Sequence, residues 1–272
     1  MKQQELKTNI METKIARIKE ISEERPQEVF TSIYHFLNKD LLMLCHKELD
    51  RNKAVGLDGI TKIEYEENLE ENIEQLAEEI QSMRYKPSPA KRIYIPKANG
   101  KMRGLAIANY EDKIVQLALK KVIEAIFEPK FPRCMYGFRP NKSCHDALKD
   151  LNWLIENKRI NYIVDADIRG FFDNIDHDKL IKAVETHIKD PRILRMIKRF
   201  LKAGIVENTQ YIEVTEGTPQ RFYTKSRASK YICVLYVGSM VWERSARKMQ
   251  GGKLHHSLCG RFCMWFSKSK GS

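Results

Sequence analysis

Acidic residues and prolines almost disappear after residue 220 of this 272-residue chain, and this limits which part of it can fold as an ordinary soluble domain. Residues 221–272 contain eleven lysines and arginines, a single acid (Glu243) and none of the nine prolines. Residues 1–220 contain the other 37 basic residues and 35 acidic ones, so they are almost neutral. The net charge of +12 therefore belongs mostly to the C-terminal segment. The net charge is thus only weak evidence that the chain as a whole binds nucleic acid.

The hydrophobic pattern of residues 12–220 predicts helices and strands in irregular alternation. The segment 91–107 predicts a β-hairpin, because its β-rich arms flank Asn99-Gly100, a strong turn signal. Ser143 is predicted to cap one helix, and Asp190, followed by Pro191, is predicted to cap another. The predicted helices cover 12–50, 62–84, 111–128, 143–155, 176–188 and 190–203, and the predicted strands cover 161–168 and 210–215.

The sequence indicates a cytoplasmic location and no membrane partner. No apolar run approaches the ~20 residues that a membrane-spanning helix needs. The N-terminus lacks an apolar signal segment. The six cysteines are scattered without a CxxC pair, which is typical of reduced thiols rather than a disulfide framework. Cys134 and Cys144-His145 are a weak indication of a metal site, and buried or incidental thiols are the better interpretation.

The densest group of carboxylates lies in residues 162–176, where Asp165 and Asp167 share one face of a predicted strand. Three interpretations are open. The first is a strand that ends in an aspartate-rich turn. The second is an EF-hand loop, but Arg169 stands where that loop needs an oxygen ligand, and Asp176 stands where it needs a bidentate glutamate. The third is a metal site for phosphoryl transfer, which needs at least one more carboxylate from elsewhere in the chain.

Several motifs together resemble the group II intron reverse transcriptase/maturases. The segment VDADIRGFFDNIDH is similar to the first catalytic motif of that family, and NKAVGLDGIT is similar to its N-terminal extension motif. The segments RIYIPKANGKMRGLAI, DKIVQLAL, YGFRPNKSCHDAL and GTPQ match its fingers and palm motifs in order. The resemblance runs from about residue 25 to Gln220. Another reverse transcriptase lineage, such as a retron or a diversity-generating element, fits the extension motif less well.

The resemblance implies a metal site and Mg²⁺ as the cofactor. Asp167 takes the place of the family's metal-binding, catalytic aspartate, and the carbonyl of Ile168 is implied as a further ligand. Magnesium prefers carboxylate oxygens and substrate phosphates, which fits an aspartate at the end of a strand. Asp165 is not assigned a catalytic role.

The resemblance also implies a nucleotide-binding set. Lys97 and Arg103, on either side of the hairpin tip, take the places of the residues that hold the triphosphate, and Arg can fork onto phosphate oxygens. Phe172 stands where the family has a ring that excludes a ribose 2′-OH. Gln220 stands where a glutamine lines the nucleotide pocket. Arg139 either contacts template or nucleotide, or holds the palm together.

The family continues after GTPQ with segments that end in the tetrapeptide YADD, whose aspartates complete the metal site. No such residues follow Gln220 here. Residues 255–266, HHSLCGRFCMWF, can be encoded by codons that, read one nucleotide later, give IIVYADDFVCGF. With the same shift RFYTKS permits GSIQSP, and SKYIC permits ANIY, in the family's order. We therefore hypothesise that residues 221–272 are read out of frame, and we expect them to be disordered.

The expected architecture is α/β (α+β), consisting of the fingers and part of the palm of a right-hand polymerase. Residues 1–61 would be a helical N-terminal extension, 62–220 the fingers and partial palm, and 221–272 the out-of-frame segment. The implied partners are group II intron RNA, an RNA template with a DNA primer, and dNTPs. We expect this chain to lack polymerase activity because YADD is missing, and to lack a thumb. The alternative is a non-catalytic RNA-binding fragment that uses the N-terminal region and the basic segment.

Overall fold

The computed structural model describes residues 2–96, 100, 102–137, 139–158, 162–167, 174–217, 252–258 and 261–266. For residues 2–8, 103, 162–167, 252–258 and 261–266 it describes the backbone alone. The helices are α1 (Lys2–Glu24), α2 (Lys39–Glu48), α3 (Lys62–Glu67), α4 (Leu69–Gln81), α5 (Tyr110–Phe127), α6 (Cys144–Asn157), α7 (His177–Glu185) and α8 (Pro191–Leu201). The strands are β1 (Ala90–Pro96), β2 (Met102–Ile107), β3 (Tyr162–Asp167), β4 (Ile205–Glu207), β5 (Gln210–Ile212), β6 (Gly252–Leu258) and β7 (Arg261–Phe266). This mixture of helix and sheet confirms the predicted fold class.

Helix α5 is the centre of a helical core. Its apolar face is fully buried and packs against α1 and α2. The same hydrophobic cluster extends from Met11 on α1 to Leu201 at the end of α8. The predicted boundary at residue 61 coincides with the start of α3, since Thr61 is its N-cap. The helices on both sides of that boundary nevertheless share one core, so the N-terminal helices are part of the main packing unit.

Two of the predicted helices are interrupted. The prediction of one helix over 12–50 was wrong, because α1 ends at Glu24, just before Pro26, and α2 begins only at Lys39. The Asn38 side chain accepts a hydrogen bond from the Leu41 amide and so caps the new helix. The helix predicted over 62–84 consists of α3 and α4, which are separated by Asn68. Periodicity alone does not detect such caps inside an apolar pattern.

The first sheet has the strand order β2-β1-β4-β5 and contains the predicted hairpin. Strands β1 and β2 are antiparallel, with Ile95 opposite Arg103 and Pro96 opposite Met102. Gly100 has a φ of +75°, as a tight turn at this position requires. Strand β1 also pairs in parallel with β4, which follows α8. The hairpin is therefore attached to the helical core through the chain that leaves α8.

The second sheet has the order β3-β7-β6. Strand β3, predicted from its alternation, is confirmed, and it pairs antiparallel with β7 so that Asp167 lies opposite Arg261. Both β6 and β7 belong to 221–272, for which the sequence predicts no regular structure. Their composition explains a tendency to pair, because RFCMWF is rich in aromatic and apolar residues. The disorder of the segment as a whole stays a prediction.

Asp190 is a buried carboxylate, and the sequence predicts only part of its role. As predicted, it caps α8 by accepting a hydrogen bond from the Arg192 amide at 3.0 Å. It also accepts from the amides of Ile33 and Tyr34, at 2.8 and 2.9 Å. One side chain therefore caps α8 and holds the loop between α1 and α2 against it. Within the part of the chain that the structure describes, no helix is long and apolar enough to cross a membrane.

Candidate active site

The predicted site residues fall into three groups in the structure. For Asp167 and Arg103 the backbone alone is described, at the end of β3 and in β2 respectively. For Arg139 the side chain and its contacts are described. The remaining predicted site residues lie outside the described residues: Lys97, Ile168, Phe172 and Gln220.

One of the two predicted phosphate-binding residues lies in the described hairpin, and the other directly follows its first strand in the sequence. Arg103 is the second residue of β2 and lies opposite Ile95. Lys97 follows directly after Pro96, the last residue of β1. The backbone register therefore places Arg103 near the described end of the hairpin, while Lys97 lies outside the described residues. Gly104, next to Arg103, leaves room for the Arg92 guanidinium, since a β-carbon there would lie 3.1 Å from its Nη1.

The sheet that contains Asp167 has acidic residues on one strand only. Asp165 and Asp167 lie on β3, whereas the sequences of β6 and β7 contain no aspartate or glutamate. The residue opposite Asp167 is Arg261, a cation. Reverse transcriptases as a family use divalent metal ions, and a pair of such ions needs carboxylates from more than one strand. The three described strands have acids on β3 alone, so they do not meet that requirement.

Elsewhere in the described residues the structure contains no group of three or more histidine, cysteine, aspartate or glutamate side chains that could hold a metal ion. The weak sequence indication at Cys134 and Cys144 is therefore not supported by a cluster there. The described cysteines, Cys45, Cys134 and Cys144, are free thiols.

The segment that leads into GTPQ lies beside the end of the carboxylate motif. The Gly217 amide donates a hydrogen bond to the Ile175 carbonyl at 2.7 Å. The Gly217 carbonyl accepts one from His177 Nε2 at 2.6 Å. A φ of +77° at Gly217 suits glycine. Two motifs that are 40 residues apart are thus joined, and the chain that continues to Gln220 starts next to Ile175 and His177.

The N-terminal extension motif is held against the start of α5. The Leu57 amide donates a hydrogen bond to Asn109 Oδ1 at 2.9 Å. Lys113 Nζ donates to the Ala54 carbonyl at 2.6 Å, and burial lowers the pKa of that ammonium group. Gly56 lies so close to Asn109 that an added β-carbon would be 2.6 Å from its Cα. The motifs NKAVGLDGIT and DKIVQLAL therefore meet in space.

We expect Gly56→Ala to destabilise the protein by about 2–4 kcal/mol, because the methyl group would collide with the Asn109 backbone, which cannot move without shifting α5. Urea denaturation followed by circular dichroism measures the loss. Gly59→Ala is the matched control, since Gly59 has a φ of +72° but no atom near its β-position. It should lose only the cost of a left-handed backbone, about 1 kcal/mol. Equal losses would show that the contact between Gly56 and Asn109 is not the cause.

A buried aspartate follows Asn109 on α5. Asp112 is 3% exposed, accepts a hydrogen bond from the Tyr85 hydroxyl, and accepts another from the Ser88 amide at 3.2 Å. Burial raises the pKa of Asp112 to about 7. The motif DKIVQLAL begins at this residue, but its sequence predicts no role for the aspartate. The only signal was a charged pair, Asp112-Lys113, directly before the apolar run that starts at Ile114.

Arg139 is 9% exposed and is held by its own loop. Its Nε and Nη2 pair with the Glu128 carboxylate at 3.0 and 2.9 Å. Its Nη1 donates to the carbonyls of Pro132 and Met135, at 2.8 and 3.0 Å. The guanidinium carbon lies 5.4 Å from the centre of the Phe131 ring. These contacts hold the Arg139 side chain against residues 128–135. Both predicted roles of Arg139, contact with template or nucleotide and holding the palm together, stay predictions.

Comparison with known proteins identifies first the class of protein and then the family. The family model of the reverse transcriptase (RNA-dependent DNA polymerase) matches residues 95–228, which places the chain among the nucleic-acid polymerases. The group II intron-encoded protein LtrA of Lactococcus lactis subsp. cremoris is 39% identical over 208 residues, which cover 76% of this chain and 34% of LtrA. A 91 kDa protein in the cob intron of Schizosaccharomyces pombe is 34% identical over 184 residues, covering 68% of this chain and 23% of that protein. The chain belongs to the group II intron reverse transcriptase/maturases.

The chain spans about a third of the length of LtrA and about a quarter of the length of the S. pombe protein. Among solved structures, a chain of the partial Cas6-RT-Cas1–Cas2 complex matches with a TM-score of 0.47 and 18% identity, covering 85% of this chain and 37% of that chain. This likeness is too distant to carry an argument about the site. The assignment therefore rests on sequence similarity.

Proposed function

We propose that residues 62–220 are the fingers and part of the palm of an RNA-directed DNA polymerase that serves the mobility and splicing of a group II intron. The sequence similarity to group II intron-encoded proteins supports this proposal. Since the chain corresponds to a third of LtrA, the polymerase activity of the whole protein is part of the proposal. We further propose that this chain, with residues 221–272 as written, does not polymerise.

The proposed chemistry is attack of a primer 3′-OH on the α-phosphate of a dNTP, with an RNA strand as template. Mg²⁺ would supply charge neutralisation between carboxylates and phosphates. Asp167 and the Ile168 carbonyl would hold it on the protein side. Lys97 and Arg103 would bind the triphosphate. The register of β1 and β2 supports this role for Arg103, because Arg103 lies opposite Ile95, two residues before Lys97 in the sequence.

Two further residues are proposed to select and position the nucleotide. Phe172 would place its ring against the sugar and exclude a 2′-OH, and Gln220 would line the pocket. The hydrogen bonds of Gly217 support the second role, since they start the GTPQ segment next to the residues that follow Asp167. The free thiols among the described cysteines support a reducing compartment, and we propose the cytoplasm.

The observation that carries the proposed inactivity is the distribution of acidic and basic residues over the three strands of the sheet that contains β3. Both acids of the three described strands lie on β3, and Arg261 faces Asp167 in the register. The family model supports a change close to Gln220, because its match ends at residue 228. We infer that the out-of-frame reading removes the second half of the metal site.

Primer extension tests the proposal directly. The purified 272-residue protein is incubated with an RNA template, a labelled DNA primer, dNTPs and Mg²⁺, beside an Asp167→Ala variant. We expect no extension by either protein, while circular dichroism shows both to be folded. If the unaltered chain extended the primer and Asp167→Ala abolished the extension, the proposed inactivity would be wrong.

A second candidate function is RNA binding without catalysis. The observation that favours it is the basic segment 221–272, with eleven lysines and arginines against one acid. Such a segment binds phosphates without sequence preference. Removing its charges should then lower both the RNA affinity and its dependence on salt. Unchanged affinity would exclude residues 221–272 as the binding arm.

A further inference from the structure

Helix α8 has a polar face on which every charged residue is basic. Its polar residues are Arg192, Arg195, Lys198 and Arg199, and Lys202 follows at its C-terminal end. The opposite face is apolar and buried, with Ile193, Met196 and Ile197 at most 1% exposed. The polar face of α8 is therefore uniformly basic, because the sequence places no acid between Pro191 and Leu201.

The charges on this face are not neutralised within the described part of the chain. Arg195, Lys198 and Lys202 are exposed, and no ion pair joins them to a described residue. Arg192 is exposed as well, and stacks on the Tyr34 ring with its guanidinium carbon 5.0 Å from the ring centre. Its pairing with Asp190 is long, 3.8 Å, and that carboxylate is occupied by backbone amides.

Arg199 extends the basic surface to a neighbouring segment. It donates hydrogen bonds from Nη1 to the carbonyls of Met83 and Tyr85, at 2.9 and 2.5 Å. This contact holds residues 83–86 beside the second half of α8. Arg84 and Lys86, on either side of Tyr85, are exposed. Two more cations are thus added to the edge of the α8 face.

The charged residues of other helices differ from those of α8, so the excess of basic residues is local to α8. Helix α4 has only acids among its charged residues, and residues 1–220 as a whole are nearly neutral. On α1 two of the exposed bases have acidic partners, in the pairs Arg17–Glu20 and Lys19–Glu23. An exposed basic face without acids is electrostatically unfavourable by itself and is stabilised by a polyanion.

We propose that the exposed face of α8, formed by Arg192, Arg195, Lys198 and Lys202 with Arg84 and Lys86 at its edge, binds the phosphate backbone of RNA. Residues 192–202 span about 15 Å along the helix, enough to follow several successive phosphates. The buried apolar face excludes the insertion into lipid that basic amphipathic helices use. This inference rests on the proposed function only for the choice of RNA as the polyanion. The test below does not measure polymerase activity.

The test compares two triple variants of the full 272-residue chain in binding to a fluorescent RNA hairpin at several salt concentrations. The first variant is Arg195→Gln, Lys198→Gln, Lys202→Gln. The second, matched in charge, is Lys14→Gln, Arg17→Gln, Lys19→Gln on α1, where Arg17 and Lys19 pair with Glu20 and Glu23. Glutamine keeps a high helix propensity in both. Thermal unfolding confirms that each variant is folded.

We expect the α8 variant to bind RNA at least about tenfold more weakly, with a salt slope reduced by about 2–3, because each lost phosphate contact lowers the slope by ~0.7–0.9. The α1 variant should change both quantities much less. Equal losses of RNA affinity and salt slope in the α8 and α1 variants would show that only the total charge of the chain matters, and would overturn the proposal. No effect of the α8 variant would overturn it too, as would a loss of binding to phosphatidylserine vesicles with RNA affinity unchanged. A loss of primer extension in a restored-frame protein with RNA binding intact would concern the polymerase proposal alone.

Discussion

Reading the gene one nucleotide later from codon 221 onward is expected to raise primer extension on an RNA template from background by ~10³-fold or more. The shift replaces the basic segment by a chain in which HHSLCGRFCMWF becomes IIVYADDFVCGF. It thereby places two aspartates in the segment that, as written, has Arg261 opposite Asp167. Carboxylates from two strands then hold the metal ions that the chemistry needs. The assay uses the whole restored reading frame, up to its own stop codon.

Two controls make that experiment decisive. Asp167→Ala in the restored-frame protein should return extension to background, since Asp167 provides the carboxylate from β3. A restored-frame protein in which both aspartates of YADD are replaced by alanine should behave in the same way. If the restored frame remained inactive while folded and RNA-bound, the proposed polymerase function would fail. Sequencing the gene across codons 215–230 shows separately whether the frame change exists in the gene.

Asp190→Ala is expected to lower the free energy of unfolding by about 3–5 kcal/mol, because the buried carboxylate accepts hydrogen bonds from three backbone amides. The substitution leaves the amides of Ile33, Tyr34 and Arg192 without their acceptor. Asp190→Asn retains one acceptor oxygen and should lose less. Urea unfolding followed by far-ultraviolet circular dichroism measures both changes.

Asp176→Ala is the matched control for this prediction. Asp176 caps α7 by accepting one amide hydrogen bond, from Lys179 at 2.9 Å, and it lies at the surface. Both residues are aspartate N-caps of consecutive helices, so the difference between them isolates the contact of Asp190 with the loop between α1 and α2. A loss for Asp190→Ala no larger than that for Asp176→Ala would show that this contact adds nothing to stability.

Local signals predicted most of the elements correctly. The hairpin at 91–107, strand β3 and the caps at Ser143 and Asp190 are confirmed, because each depends on neighbouring residues. The helix predicted over 12–50 was wrong, since apolar residues at helical spacing from Phe30 to Leu41 continue across the new cap at Asn38 and hide it. Periodicity records which residues are buried, but it does not record where the chain turns.

For the candidate site, the sequence alone determined the family and predicted the positions at which metal and nucleotide would bind, because these belong to short contiguous motifs. Only the tertiary structure decided how the motifs meet. It brought Gly56 against Asn109, joined Gly217 to Ile175 and His177, and turned Arg139 inward to Glu128. It also gave Asp190 its second set of partners, 156 and 157 residues away. Such contacts depend on how the helices pack, and no local pattern of residues encodes them.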